Sequence, residues 1–285
     1  MDFPVGKLLS GVKVVSLAIN APGPVSAARL ASMGADVIKV EPPTGDPLKT
    51  AATAWYQALS RGQTVLALDL KTPDGRRQLE TNLAGADLLV VSFRPSALRK
   101  LELDWEHLHQ RHPRLCLAGI IGYPPPLEER SGHDLTYLAS AGLLAPPQLP
   151  LSLFVDLAGA ERCVSAALAL LLHFSRTKQA GCEFVSLYDC ACELAAPWNA
   201  GLTRGDGVLG GAYPLYGMYQ ASDGWIAVAA LEPHFAQKLL AELGLTQADR
   251  PRLEEIFRGR SAAAWEQWAN ERGLPLAAVR ENKTG

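Results

Sequence analysis

The sequence has no strong excess of charge of either sign. It carries 27 lysine and arginine residues against 29 aspartate and glutamate residues, for a formal net charge of -2. A protein that binds nucleic acid or an anionic membrane surface usually presents a basic patch. The composition therefore predicts no nucleic-acid partner and no membrane partner, and any polyanionic ligand must be bound by local lysine and arginine side chains.

The sequence also lacks a long hydrophobic run and a paired set of cysteines. The longest apolar run, 166–172, is too short to cross a bilayer. The 5 cysteines are odd in number, and Cys190 and Cys192 have no second pair with which to hold zinc. We therefore expect no metal site, and we expect free thiols in a cytoplasmic, reducing environment.

Strand and helix patterns alternate over the first two thirds of the chain. Short β-branched or aliphatic runs are separated by segments with helical spacing of apolar residues. The predicted strands lie at 11–17, 35–40, 64–70, 86–91, 115–121 and 183–188. The predicted helices lie at 24–33, 73–84, 134–143 and 157–174, with a further basic helix after Pro95. This alternation predicts an α/β fold built on a Rossmann-like, doubly wound parallel sheet.

The helix predicted at 157–174 is rich in alanine and leucine on every face. A helix that is apolar all round normally lies inside a fold. We therefore expect it to be buried, with Asp156 immediately before it as the N-cap residue.

A glycine-rich segment at 201–211 separates this region from a second one. Beyond it, 213–219 and 225–230 predict an antiparallel strand pair, and helices are predicted at 233–243, 252–258 and 262–271. The predicted organisation is a large domain (1–200), a linker (201–211) and a smaller α+β domain (212–285).

The first β-α-β turn offers no dinucleotide site. Its sequence, Ala21-Pro-Gly-Pro24, lacks the G-x-G-x-x-G pattern that brings a backbone close to a pyrophosphate. NAD is therefore not expected, although Glu41 stands where a ribose-binding acid could lie.

Three residues could carry acid–base chemistry, namely His133, Asp156 and Glu232. An imidazole titrates near neutral pH, and burial can move a carboxyl group into the same range. Each residue also has a structural interpretation, because all three lie at predicted helix starts, where caps and acidic residues are common. The residue pattern alone leaves both interpretations open.

Three cations at strand ends or in loops could contact a phosphate, namely Lys39, Arg61 and Arg94. Such positions are more often occupied by solvated charges than by ligand contacts. Their pattern alone does not decide between the two.

Several sequence blocks, in order along the chain, resemble the signature of CoA-transferase family III. They are Leu9-Ser-Gly-Val-Lys-Val-Val-Ser-Leu17, Gly34-Ala-Asp-Val-Ile-Lys-Val-Glu-Pro-Pro43, Asp69-Leu-Lys71 and Phe93-Arg-Pro95. The resemblance implies an interlocked homodimer whose subunit has a Rossmann-like large domain and a smaller domain, with acyl-CoA bound between them. It implies no cofactor beyond the CoA moiety of the substrate.

Within this family, Gly132-His-Asp-Leu-Thr-Tyr137 and Leu231-Glu-Pro-His-Phe235 are similar to the α-methylacyl-CoA racemase branch. That resemblance implies that His133 and Asp156 are the two catalytic bases and that Glu232 pairs with His133. It also leads us to expect the backbone amide of Asp156 to hold the enolate oxygen. Lys39, Arg61 and Arg94 match positions that contact the CoA nucleotide.

Three activities follow as hypotheses from the resemblance. The first is epimerisation, a 1,1-proton transfer at the α-carbon of a 2-methylacyl-CoA-like thioester. The second is CoA transfer to a carboxylic acid through a mixed anhydride on Asp156. The third is a catalytically impaired acyl-CoA-binding relative, because Ala158-Gly-Ala-Glu-Arg162 replaces expected glycines and the sequence ends soon after Val279, where the family returns to the large domain.

Overall fold

The computed structural model describes residues 7–280 of the chain. The chain divides into two compact units, 1–195 and 196–285, each of which is described by itself. The division falls inside a helix and earlier in the chain than the predicted linker at 201–211.

The first unit contains a six-stranded sheet in the order β3-β2-β1-β4-β5-β6. All neighbouring strands are parallel. The strands are β1 (Lys13–Ser16), β2 (Asp36–Glu41), β3 (Thr64–Ala67), β4 (Leu88–Val91), β5 (Cys116–Ile121) and β6 (Cys182–Ser186). Every residue of the central strands β4 and β5 is buried, as expected of strands covered on both faces. The predicted doubly wound parallel sheet is confirmed.

Helices follow the strands on both faces of this sheet. They are α1 (Pro22–Ser32), α2 (Leu48–Ala51), α3 (Thr53–Leu59), α4 (Pro73–Leu83), α5 (Pro95–Leu101), α6 (Trp105–Arg111), α7 (Asp134–Ser140), α8 (Phe154–Thr177) and α9 (Leu187–Asn199). The sequence reasoning missed α2, α3 and α9, and it predicted one helix where α5 and α6 are two. The buried face of α9 was nevertheless readable, because Leu187, Cys190, Ala191 and Ala195 recur at helical spacing.

Two hydrophobic clusters pack on opposite faces of the sheet. Val14 and Leu88 belong to one cluster, whereas the next residue of each strand, Val15 and Leu89, belongs to the other. Successive strand residues point to opposite faces, so one apolar run supplies both cores.

Helix α8 differs from its prediction in two respects. It begins at Phe154, so Asp156 is the third residue of the helix and not its N-cap. Only one face is buried, formed by residues such as Val155, Ala160 and Cys163, whereas Leu172 is 50% exposed. The expectation that the helix is buried all round is therefore wrong for this chain.

The second unit has a three-stranded antiparallel sheet in the order β7-β8-β9. Its strands are β7 (Tyr216–Gln220), β8 (Trp225–Ala229) and β9 (Leu276–Ala278), and its helices are α10 (Pro233–Glu242), α11 (Arg250–Phe257) and α12 (Ala262–Arg272). The sequence predicted β7, β8 and the three helices, but not β9. A separate core forms around Phe257, Trp265 and Trp268.

No helix within 7–280 is both long and apolar enough to cross a membrane. All five cysteines carry free thiols.

Candidate active site

A cavity of about 230 Å³ opens in the first unit at the carboxyl end of the sheet. The segments that follow two neighbouring strands line it: Asn20 lies after β1, and Ser92 and Phe93 lie after β4. The strand order reverses between β1 and β4, and open α/β sheets bind ligands at this kind of position.

His133 lines the cavity from the N-cap position of α7. Its backbone is extended, and its amide donates a hydrogen bond to Oγ1 of Thr136 at 2.9 Å. This bond fixes the backbone of His133 at the point where the chain turns into the helix.

Asp156 lines the same cavity from the first turn of α8. Burial, together with the nearby charge of Asp134, raises the pKa of the Asp156 carboxyl to about 7. Near neutral pH this group can therefore either donate or accept a proton. The structure thus brings together two of the three predicted acid–base residues, and their catalytic roles stay predictions.

Asp134 connects the two helices that carry these groups. Its Oδ1 accepts hydrogen bonds from the amides of Val155 at 2.8 Å and Asp156 at 3.0 Å, so it caps α8 from the start of α7. The sequence reasoning missed this residue. It also placed an enolate oxygen on the Asp156 amide; in this structure the amide donates to Asp134 at 3.0 Å, and its contact with an enolate stays a prediction.

Arg94 brings a positive charge to the cavity. It precedes α5, is exposed, and donates a hydrogen bond from Nη2 to Oγ of Ser131 at 2.9 Å. It lines the cavity, and so does Arg130. Arg61, by contrast, lies in the turn after α3, is exposed, and is not part of this lining.

Lys39 occupies a buried position in β2, which corrects its expected contact with a nucleotide. The residue is 1% exposed, and its Nζ lies 2.7 Å from Glu41 Oε1 and 2.7 Å from Asp46 Oδ2. Tyr56 donates a further hydrogen bond to Glu41 at 2.7 Å. Because the ammonium group already neutralises buried carboxylates, it is not presented to a ligand.

Glu232 lies in the second unit, at the N-cap of α10, where it is exposed. A carboxylate at this position interacts favourably with the helix dipole. Its pairing with His133 stays a prediction.

A second, mainly apolar cavity of about 160 Å³ adjoins the first. Ile19 and Phe93 line both cavities. The second cavity extends past Pro42 and Pro43 towards Leu70 and Lys71, along the carboxyl ends of β1, β2 and β3. The two cavities therefore form one continuous lined region at this end of the sheet.

Comparison with known proteins places this architecture in a family. The model of CoA-transferase family III matches residues 9–284. The chain is 32% identical to the α-methylacyl-CoA racemase of Mus musculus, over 90% of this chain and 74% of that protein. It is 29% identical to a probable fatty acyl-CoA transferase of Mycobacterium tuberculosis, over 88% of this chain and 71% of the relative.

A solved structure supports the same relationship. The crystal structure of a Mycobacterium tuberculosis protein, in an orthorhombic form, aligns with a TM-score of 0.83 at 28% identity, covering 96% of this chain and 83% of that chain. The chain belongs to CoA-transferase family III, and it is an enzyme of that family. Racemases and CoA-transferases both occur among its relatives at about 30% identity, so the family alone leaves the reaction open.

Proposed function

We propose that the protein catalyses 1,1-proton transfer at the α-carbon of a 2-methylacyl-CoA or a similar thioester. One observation carries the proposal: the same cavity is lined by the imidazole of His133 and by the carboxyl group of Asp156. The pKa of this carboxyl group is raised to about 7. Groups that exchange protons near neutral pH are what such a reaction requires.

The proposed reaction proceeds through an enolate. One of the two groups removes the α-proton and leaves its electron pair delocalised onto the thioester oxygen. The other group then donates a proton to the opposite face of the α-carbon, which gives the other epimer. Each group ends in the protonation state in which its partner began, and exchange with solvent restores the starting state.

The raised pKa of Asp156 suits both directions of this reaction. A carboxylic acid that keeps its proton to about pH 7 can donate it to an enolate at neutral pH. Once ionised, the same group is a stronger base than an ordinary carboxylate, because its basicity follows its pKa. Glu232 is proposed, from the family resemblance, to orient His133.

The nucleotide part of CoA is proposed to lie in the second cavity. Its apolar walls suit a flat base, and Lys71 at its edge can pair with a phosphate. Arg94 lies at the first cavity, where it can reach phosphate or pantetheine oxygens. Arg61 is proposed to contact the nucleotide from outside these cavities. Lys39 is not proposed as a contact, because its ammonium group is buried among carboxylates. No cofactor beyond the CoA moiety enters the proposal.

CoA transfer through Asp156 is a second candidate, favoured by the transferases among the relatives. The ionised carboxylate would attack the thioester carbonyl and the CoA thiolate would leave, giving a mixed anhydride. The CoA thiolate would then attack the aspartyl carbonyl, releasing the first acid and leaving an aspartyl-CoA thioester. The acceptor carboxylate would attack this thioester and expel the thiolate, which would finally attack the acyl carbon of the new anhydride, giving the new acyl-CoA and free Asp156.

We also propose that the active form is a homodimer. Several large apolar side chains remain exposed on this chain near or within α8: Leu149 is 72% exposed, Leu151 84%, Phe154 51% and Leu172 50%. A second copy that covered these residues would remove apolar surface from water. Light scattering after size exclusion should give twice the chain mass, and a monomer at micromolar concentration would contradict this proposal.

The reaction is tested by incubating (2S)-2-methyldecanoyl-CoA with the protein in deuterated water and following the α-proton by NMR. We expect the α-proton signal to disappear and the (2R) epimer to form. His133→Ala should abolish the interconversion of epimers. A protein that leaves the α-proton in place but forms a hydroxylamine-trapped acyl adduct on Asp156 would instead be a transferase. CoA binding with neither reaction would identify a catalytically impaired relative.

A further inference from the structure

The hydroxyl group of Tyr137 lies in the wall of the first cavity without an assigned role. The residue is one helical turn after His133 in α7, and its amide donates a hydrogen bond to the His133 carbonyl at 3.1 Å. Its side chain is only 2% exposed, yet it lines the cavity. Within residues 7–280 the hydroxyl makes no hydrogen bond, and because its oxygen is not fully enclosed it is open to the cavity that Tyr137 lines.

The ring of Tyr137 is held so that this hydroxyl stays at the cavity wall. It packs edge-on against Tyr123, with ring centroids 5.2 Å apart. Two glycines of the cavity lining leave room for it: a Cβ atom on Gly132 would lie 2.4 Å from Cε1 of the ring. A Cβ atom on Gly122 would lie 2.5 Å from the hydroxyl oxygen itself. The hydroxyl therefore lies beside lining residues.

The electrostatic surroundings make this hydroxyl a hydrogen-bond donor. Burial, followed by Tyr123 and the negative charge of Asp156, raises the pKa of Tyr137 to about 12, although Arg94 acts in the opposite direction. The phenol therefore keeps its proton throughout the neutral range. Since Asp156 influences this pKa, its carboxyl and the hydroxyl share one electrostatic environment.

The proposed reaction needs a donor for the enolate oxygen. The amide of Asp156 is already engaged by Asp134 at 3.0 Å in this structure, so a further donor at the cavity wall would strengthen the stabilisation of the enolate. A preorganised donor aimed at a developing oxyanion is often the largest single contribution to catalysis of this type.

We propose that Tyr137 is a further catalytic residue, whose hydroxyl donates a hydrogen bond to the thioester oxygen as negative charge develops there. This inference rests on the proposed function. The hydroxyl keeps its proton throughout the reaction, so the proton balance between His133 and Asp156 is unchanged.

The test compares Tyr137→Phe with the wild-type protein, using Tyr123→Phe as the matched control. The control removes the same atom from the neighbouring ring, which is also 2% exposed but is not part of the cavity lining. Loss of one oxyanion donor commonly lowers kcat by roughly 10²- to 10³-fold. For Tyr137→Phe we expect kcat for α-deuterium exchange into 2-methyldecanoyl-CoA to fall by about 100-fold, with little change in KM. The Tyr123→Phe variant should stay within about threefold of wild type.

A spectroscopic measurement gives a readout that is independent of turnover. With a ¹³C-labelled thioester carbonyl, isotope-edited infrared spectra of bound 2-methyldecanoyl-CoA should show a lower carbonyl stretching frequency in the wild type and Tyr123→Phe than in Tyr137→Phe. Equal kcat in wild type and Tyr137→Phe, or an equal loss in both variants, would overturn the inference. If the wild-type protein shows no exchange, the proposed function fails. Separately, a carbonyl frequency in Tyr137→Phe equal to that in the wild type would exclude the hydrogen bond from Tyr137 to the thioester oxygen.

Discussion

Replacing Asp156 by asparagine should stabilise the folded protein above neutral pH. The carboxyl has a pKa of about 7 in the folded state, against a usual value of 3.8. Between these values the folded state keeps a proton that the unfolded state has released, so the free energy of unfolding falls as pH rises through this window. The whole loss is present above pH 7 and none of it below about pH 4.

The size of this effect follows from the shift. About three pKa units at roughly 1.4 kcal/mol each give about 4 kcal/mol as an upper limit for the stability withheld by ionised Asp156. Asparagine has nearly the same shape and no charge, so Asp156→Asn should recover about 2 to 4 kcal/mol at pH 8 and almost nothing at pH 4. The same substitution should abolish epimerisation, which is the behaviour of a group kept for function at a cost in stability.

Urea denaturation of both proteins at pH 4 and pH 8 provides the assay. Subtracting the wild-type free energy of unfolding from that of the variant at each pH cancels the contributions of all other groups. Asp104→Asn is the matched control. Burial raises the pKa of Asp104, but hydrogen bonds from His107 outweigh this and leave it lowered, so its ionised form stabilises the fold. The control should therefore gain nothing at pH 8. If Asp156→Asn were no more stable than wild type at pH 8, or gained equally at both pH values, the reasoning would be refuted.

Four further outcomes are expected. Gly132→Ala should lower the free energy of unfolding by about 1–3 kcal/mol and reduce activity, because the new Cβ atom would collide with the Tyr137 ring. An unchanged melting temperature would argue against this close packing of Gly132 on Tyr137. Lys39→Met should cost about 3–5 kcal/mol in urea denaturation, since two buried carboxylates lose their partner. Arg94→Gln should weaken calorimetric binding of acyl-CoA by about tenfold with no change in melting temperature; unchanged binding would remove Arg94 from the site. For the epimer whose α-proton Asp156 removes, kcat/KM should rise with pH through about 7; a midpoint near 4 would contradict its raised pKa.

Much of the fold could be predicted from local sequence patterns. Apolar runs such as those of β4 and β5 predict strands buried on both faces, and each lies close to its predicted position. The exposure of α8 could not be predicted in this way. Its apolar residues predict a helix covered on every face, whereas in this chain only one face is buried.

The site shows where sequence reasoning reaches its limit. Patterns place His133 and Asp156 at two helix starts, but only the tertiary structure brings them to one cavity. Asp134 was missed because it caps a helix other than its own, through hydrogen bonds to residues distant in sequence. Lys39 was misjudged because a charge at a strand end is usually solvated, whereas here two carboxylates pair with it in the interior.

The central claim is that His133 and Asp156 act on opposite faces of one α-carbon. It is tested most directly by α-deuterium exchange with the separate (2R) and (2S) epimers of 2-methyldecanoyl-CoA, using His133→Ala and Asp156→Asn. We expect neither variant to interconvert the epimers, and we expect each to retain slow exchange with a different epimer, the one whose α-proton faces its remaining base. Residual exchange with the same epimer in both variants, or interconversion in either of them, would contradict the account.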